Sequence, residues 1–133
     1  MRDPGSTEHT ELAIPAWPDF LFLVRLHVGA VASRMDMTVQ EIEDLHLAVD
    51  ELCLSLLGPA EPPRGRLEVS VTWDDEALDV RCRLSGNDSA TAALDPIAGR
   101  ILTALVDEHG LTADEGAPVA WLRKRREALR PAP

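Results

Sequence analysis

The sequence predicts an α+β fold, a two-layer sandwich in which a mostly antiparallel sheet is covered on one face by three helices. Two observations carry this reading. LEVSVTW (residues 67–73) and LDVRCRL (residues 78–84) alternate apolar with polar side chains, and the short polar segment 74–77 joins them. Two period-two strands around a short turn form an antiparallel hairpin with one buried and one wet face. Three other stretches carry apolar residues at helical spacing, and a sheet with one apolar face needs such a cover.

The elements follow in order. Residues 1–10 are polar and form a flexible N-terminus. Residues 11–14 are a short strand, closed by Pro15 and Pro18. Asp19 caps a helix running to about Arg34, with Phe22, Leu26, Val28, Ala30 and Val31 supplying its apolar surface. After a connection at 35–37 comes the strongest helix signal, in which Ile42, Leu45, Val49, Leu52, Cys53 and Leu56 recur at steps of three and four. Thr38 and Glu41 precede it in the S/T-x-x-E pattern of a capping box. The segment 58–65, GPAEPPRG, cannot continue a helix and is a loop before the hairpin. Residues 85–93 form another loop, and Asp95-Pro96 opens a third helix reaching about Glu108. Residues 116–122 are a last strand, with Val119 and Trp121 alternating. A single domain is expected over 11–124, followed by a basic tail at 125–133.

Composition bounds the function. A length of 133 residues suffices for one hydrophobic core without disulfides or metal. A net charge of −10 repels phosphate backbones, which argues against direct nucleic-acid binding. It suits either a basic protein partner or plain solubility. Cys53 and Cys82 lie on apolar faces and outside any C-x-x-C arrangement, so they read as buried reduced thiols. The N-terminal MRDPGSTEHT has no apolar core of a secretory signal, and no apolar run approaches the roughly 20 residues that span a bilayer. A cytoplasmic protein without membrane association is expected. His9, His27, His46 and His109 lack metal-ligand spacing, and His46 with Asp50 reads as a surface pair. Trp17, Trp73 and Trp121 read as core or sheet-face residues, any exposed one being a contact candidate.

The helix at 40–57 also carries a line of Asp44, Ala48, Glu51 and Ser55, so Glu51 and Ser55 point the same way one turn apart. By spacing alone this is a solvated polar edge or a site. ELAIPAWPDFLFLVRLHVGAVASRM (11–35) followed by IEDLHLAVDELCLSLL (42–57) resembles the anti-sigma factor serine kinases, members of the histidine-kinase-like ATPase superfamily. The resemblance covers about 11–124 and implies that superfamily's fold. It makes Glu51 the general base of the Glu-x-x-x-Asn motif and puts Ser55 where the family has a Mg²⁺-binding Asn. It also implies partner contacts around Arg25, Arg34 and Asp36, a sigma factor and a STAS-type anti-anti-sigma protein as partners, and a possible homodimer through the sheet.

The nucleotide motifs of the resemblance are degraded. Counting along LDVRCRLSGNDSA puts Leu84 at the Asp of the adenine-binding Asp-x-Gly motif and Gly86 at its Gly. An aliphatic side chain cannot accept the adenine amine; Asn87 or Asp88 could substitute only in a reshaped loop. In DPIAGRILTALVDE, matched at Leu105, Val106 and Asp107, Pro96 and Ala98 stand at the two phosphate-approaching glycines, with Gly99 as a shifted alternative. The resemblance therefore implies an anti-sigma regulator with no cofactor or weak Mg-ATP binding. The alternative is an active ATP-dependent serine kinase acting on an anti-anti-sigma partner.

Overall fold

The computed structural model describes residues 7–58, 65–86 and 94–127. Five strands, β1 (Glu8–Pro15), β2 (Arg66–Trp73), β3 (Ala77–Ser85), β4 (Glu108–Asp114) and β5 (Ala117–Arg125), form one sheet in the order β1-β2-β3-β5-β4. Every neighbouring pair is antiparallel. Three helices, α1 (Leu21–Arg34), α2 (Val39–Leu57) and α3 (Pro96–Leu105), complete an α+β fold of two layers. The hairpin register sets Val69 opposite Cys82 and Leu67 opposite Leu84. These inward side chains join Val24, Val28, Leu45, Val49 and Leu52 of the helices in one core. Each such aliphatic side chain removed from water contributes about 1.5–3 kcal/mol before entropy is counted. The turn between β2 and β3 is closed by Asp74, whose carboxylate accepts from the Glu76 and Ala77 amides at 2.8 and 3.0 Å.

Several element assignments change. The third helix ends at Leu105, not near Glu108, and the next residues form β4, a strand not expected from the sequence. Val106 is already extended, and the Asp107 amide donates to the Arg123 carbonyl at 3.0 Å, so pairing with β5 pulls the chain out of the helix. The Lys124 ammonium, buried at 1% exposure, donates to the Leu105 carbonyl at 2.7 Å and closes that helix end. The first strand begins at Glu8 because β1 pairs along its length with β2. A 3-10 turn at Pro18–Phe20 precedes α1, and Phe20, not Asp19, stands at the N-cap without a side-chain bond. The buried stripe of α1 is Leu21, Val24, Val28, Val31 and Ala32; Phe22 and Leu26, assigned to its apolar face, point to solvent. The last strand starts at Ala117 and runs to Arg125. Most of the two loops at 58–65 and 85–93 and of the tail at 125–133 lies outside the described residues, as do residues 1–6. No helix among the described residues is long and apolar enough to cross a membrane.

Candidate functional site

α2 is the central helix of the cover and presents the Glu51 line. Its start is set locally: the Thr38 hydroxyl accepts from the Glu41 amide at 3.1 Å, and the Glu41 carboxylate accepts from the Thr38 amide at 2.9 Å. The second Glu41 oxygen accepts from the Glu127 amide at 2.6 Å, so the end of β5 is tied to the same cap. Along the line, Ala48 is fully buried, whereas Asp44, Glu51 and Ser55 are half-buried. Asp44 accepts from Gln40 at 2.8 Å and stands 3.9 Å from the Lys124 ammonium. The Glu51 carboxylate has no hydrogen bond or ion pair among the described residues. The Ser55 hydroxyl donates back to the Glu51 carbonyl at 2.7 Å, inside the helix's own ladder.

The other positions expected to touch a nucleotide lie on β3 and α3. Leu84 is buried at 2% exposure and belongs to the core, with no polar atom to offer. Gly86 follows in a left-handed conformation, φ 77°, beside Gly65, where a Cβ would lie 2.1 Å from the Ser85 carbonyl oxygen. Asn87 and Asp88 lie outside the described residues. At the start of α3, Pro96 brings no amide, and the Asp95 carboxylate accepts from the Ile97 amide at 2.9 Å. The Gly99 amide is spent on the Asp95 carbonyl at 2.9 Å, and Ala98 is buried. This helix N-terminus thus carries its own carboxylate where an external anion would otherwise sit. Among the described residues, no group of three or more His, Cys, Asp or Glu side chains is arranged to hold a metal ion.

The residues expected at a partner surface are not gathered at one point. Arg34 and Asp36 are exposed at the corner between α1 and α2, Asp36 with φ 57°. Arg25 lies nine residues before Arg34, about 13 Å along the helix axis. Its guanidinium donates to Asp50 of α2 at 2.8 Å. The expected His46–Asp50 pair is replaced by this bond. The His46 ring instead turns onto α1, where a Cβ on Gly29 would come within 2.7 Å of Nε2. From the sequence, Asp50 is expected to pair with His46 and Asp95-Pro96 to open a helix; neither the Arg25–Asp50 bond nor the Asp95 side-chain cap is among those expectations. A D-P pair at a helix start does signal the Asp95 cap, whereas no local pattern announces a bond between residues 25 apart.

No family model matches the chain. Curated relatives do. The chain is 42% identical over 68 residues to the serine-protein kinase RsbW of Bacillus velezensis, a match spanning 51% of this chain and 42% of that protein. It is 32% identical over 99 residues to the anti-sigma-F factor RsbW of Mycobacterium tuberculosis, covering 74% of this chain and 58% of that one. Against the serine-protein kinase RsbW of Bacillus licheniformis the identity is 35% over 139 residues, with 89% of this chain and 86% of the relative covered. Among solved structures, the RsbU and RsbW domains of Rv1364c from Mycobacterium tuberculosis match with a TM-score of 0.69 at 19% identity, over 94% of this chain and 34% of that one. That likeness concerns the fold, and the near full-length match at 35% identity carries the kinship. The chain belongs to the RsbW family of serine-protein kinases and anti-sigma factors.

Proposed function

We propose that this chain is an anti-sigma regulatory factor that sequesters an RNA polymerase sigma factor and switches partner to a STAS-type anti-anti-sigma protein, with Mg-ATP binding weak or lost. Relatives named serine-protein kinase and anti-sigma-F factor support the regulatory role. The corner at Arg34 and Asp36 and the α1 surface at Arg25 are the proposed contacts. On the same reading the chain acts in the cytoplasm as one domain over 11–124, and the net charge of −10 turns it away from nucleic acid.

The observation that carries the loss of nucleotide is the first turn of α3. Phosphates seat on free amides at a helix N-terminus. Here Pro96 has none, the Ile97 amide is held by Asp95, and the Asp95 carboxylate repels a polyanion. The residues present therefore do not fit Mg-ATP. Leu84 offers no acceptor to an adenine amine, and Ser55, folded back on the Glu51 carbonyl, has a shorter side chain than the asparagine that would reach a metal. Losing two polar contacts at about 1–3 kcal/mol each weakens binding by about thirty-fold to about twenty-thousand-fold.

The second reading, an ATP-dependent serine kinase acting on the anti-anti-sigma partner, draws on Glu51, whose carboxylate is half-exposed and unengaged among the described residues. Calorimetry separates the two. The expected result is no heat of Mg-ATP binding at sub-millimolar nucleotide, and sigma-factor capture that ATP does not alter. A micromolar isotherm abolished by Glu51→Ala would put the kinase reading first.

A further inference from the structure

We propose that the outer ridge of α1 and α2 is a docking face for a basic amphipathic helix of a protein partner. Its apolar side would rest on Phe22, Leu26, Leu47 and Leu54, and its flanking Lys or Arg residues would meet Glu43 and Glu51. The anti-sigma reading is the ground for taking the partner to be a protein and already includes the α1 surface at Arg25; the α2 half of the ridge and the partner's chemistry go beyond that reading.

The four apolar side chains are exposed by 47%, 64%, 57% and 47% respectively. Single exposed leucines are ordinary, but a contiguous apolar patch is not. The Arg25–Asp50 bond of 2.8 Å joins the two helices at the middle of the ridge. Phe22 and Leu26 lie three residues before and one after Arg25; Leu47 and Leu54 lie three before and four after Asp50. The steps of three and four put Phe22 beside Arg25 and both Leu47 and Leu54 beside Asp50, and Leu26 stands one turn after Phe22 on the same line. Because Arg25 and Asp50 neutralise each other, the middle of the ridge carries little net charge.

Its rim differs. α2 holds five carboxylates and no Lys or Arg. Glu41 is bound into the cap and to the Glu127 amide, Asp44 meets Gln40 and Lys124, and Asp50 meets Arg25. That leaves Glu43 and Glu51 without an ion pair among the described residues. Glu43, Leu47, Asp50 and Leu54 follow one another at steps of four, three and four, so one Glu borders the apolar side chains on the same face and Glu51 adjoins it. An apolar centre with acidic borders complements a helix whose apolar stripe is edged with Lys and Arg. This gives Glu51 a contact role that needs no nucleotide.

The test uses fluorescein-labelled peptides of about 18 residues, built from Leu, Lys and Ala with leucines at helical spacing, and an analogue with Glu replacing every Lys. Anisotropy is read against the wild-type protein, against Leu47→Ser/Leu54→Ser and against Glu43→Lys/Glu51→Lys, each checked for folding by circular dichroism. The expected result is saturable binding of the basic peptide to the wild type, weakened about ten-fold or more in each variant and for the acidic analogue. Absence of saturable binding to the wild type, or equal binding of both peptides, would overturn the docking face. Sigma-factor capture keeps the two ideas apart. Capture that is equal for wild type and Leu47→Ser/Leu54→Ser sinks the docking face and leaves the anti-sigma reading standing. No capture by the wild type sinks the anti-sigma reading, while the peptide measurement still decides the surface.

Discussion

Cys53 of α2 and Cys82 of β3 meet with their sulfurs 3.8 Å apart, both fully buried and both free thiols. The contact with Cys82, followed by burial, pushes the Cys53 thiol well above its ordinary pKa, so the reactive thiolate is suppressed. A thiol reagent such as Ellman's should therefore label neither cysteine in the native protein and both after denaturation; prompt release of two equivalents from the folded chain would contradict the core assignment. His27 is a pH-sensitive residue. Its Nε2 lies 2.7 Å from the Thr10 hydroxyl, and desolvation lowers its pKa. The folded state prefers the neutral ring, so the unfolded chain takes up the proton first. The stability His27 contributes is present above about pH 6.5 and is lost as pH falls through the lower folded value. Melting curves from pH 7.5 downward should show a slope that His27→Gln flattens; an unchanged slope in that variant would remove His27 from the account.

At the scale of elements, the N-terminus of α2 does more than begin a helix. One Glu41 carboxylate serves both the Thr38 amide and the Glu127 amide, and the Arg126 guanidinium reaches the Met35 carbonyl at 3.3 Å. The end of β5 is thus fastened to the corner carrying Arg34 and Asp36. Thr38→Ala removes only a cap and should cost about 1 kcal/mol, whereas Glu41→Ala also strands the Glu127 amide and should cost about 2–4 kcal/mol. Urea titrations measure both; equal costs would show that the tie to β5 is energetically idle. Edge strand β4 depends on tertiary contact in the same way. Gly110 sits under the Trp121 indole, where a Cβ would lie 2.9 Å from the ring.

At the scale of the whole molecule, the helical side and the open side of the sheet differ in chemistry. The exposed large apolar residues Phe22, Leu26, Leu47 and Leu54 are on helices. The open sheet face instead bears charge networks, Glu68–Arg83–Asp114 and Asp79–Arg123–Glu108, with separations of 2.8–3.8 Å. If the chain pairs with a second copy through the sheet, as the resemblance implies, the contact is between charges and not an apolar core. Raising salt from about 0.1 M to about 1 M, which shortens the screening length from about 10 Å to about 3 Å, should then dissociate the dimer. Sedimentation equilibrium reads this directly; a monomer at low salt and high concentration would rule out the sheet dimer.

The hairpin, the three helices and the Thr38–Glu41 capping box were legible in the chain because each is written in local periodicity or in a fixed short spacing. LEVSVTW and LDVRCRL alternate whether or not anything packs on them, and Thr38 and Glu41 meet within one turn. Resemblance marked Glu51, Ser55, Leu84 and Pro96 as the positions where a nucleotide would be gained or lost. What contact alone decides escaped the sequence. EHGLTAD carries little apolar alternation, and it becomes β4 because β5 supplies its hydrogen bonds and Trp121 its cover. Phe22 and Leu26 read as core residues, yet the rotation of α1 is chosen by Val24 and Val28 against the sheet, which turns the other two outward. Arg25 finds Asp50 25 residues away, and Lys124 is buried on the Leu105 carbonyl. Local spacing encodes which element forms; the pairing of distant charges and the facing of each helix are set by long-range packing, which no short window of sequence contains.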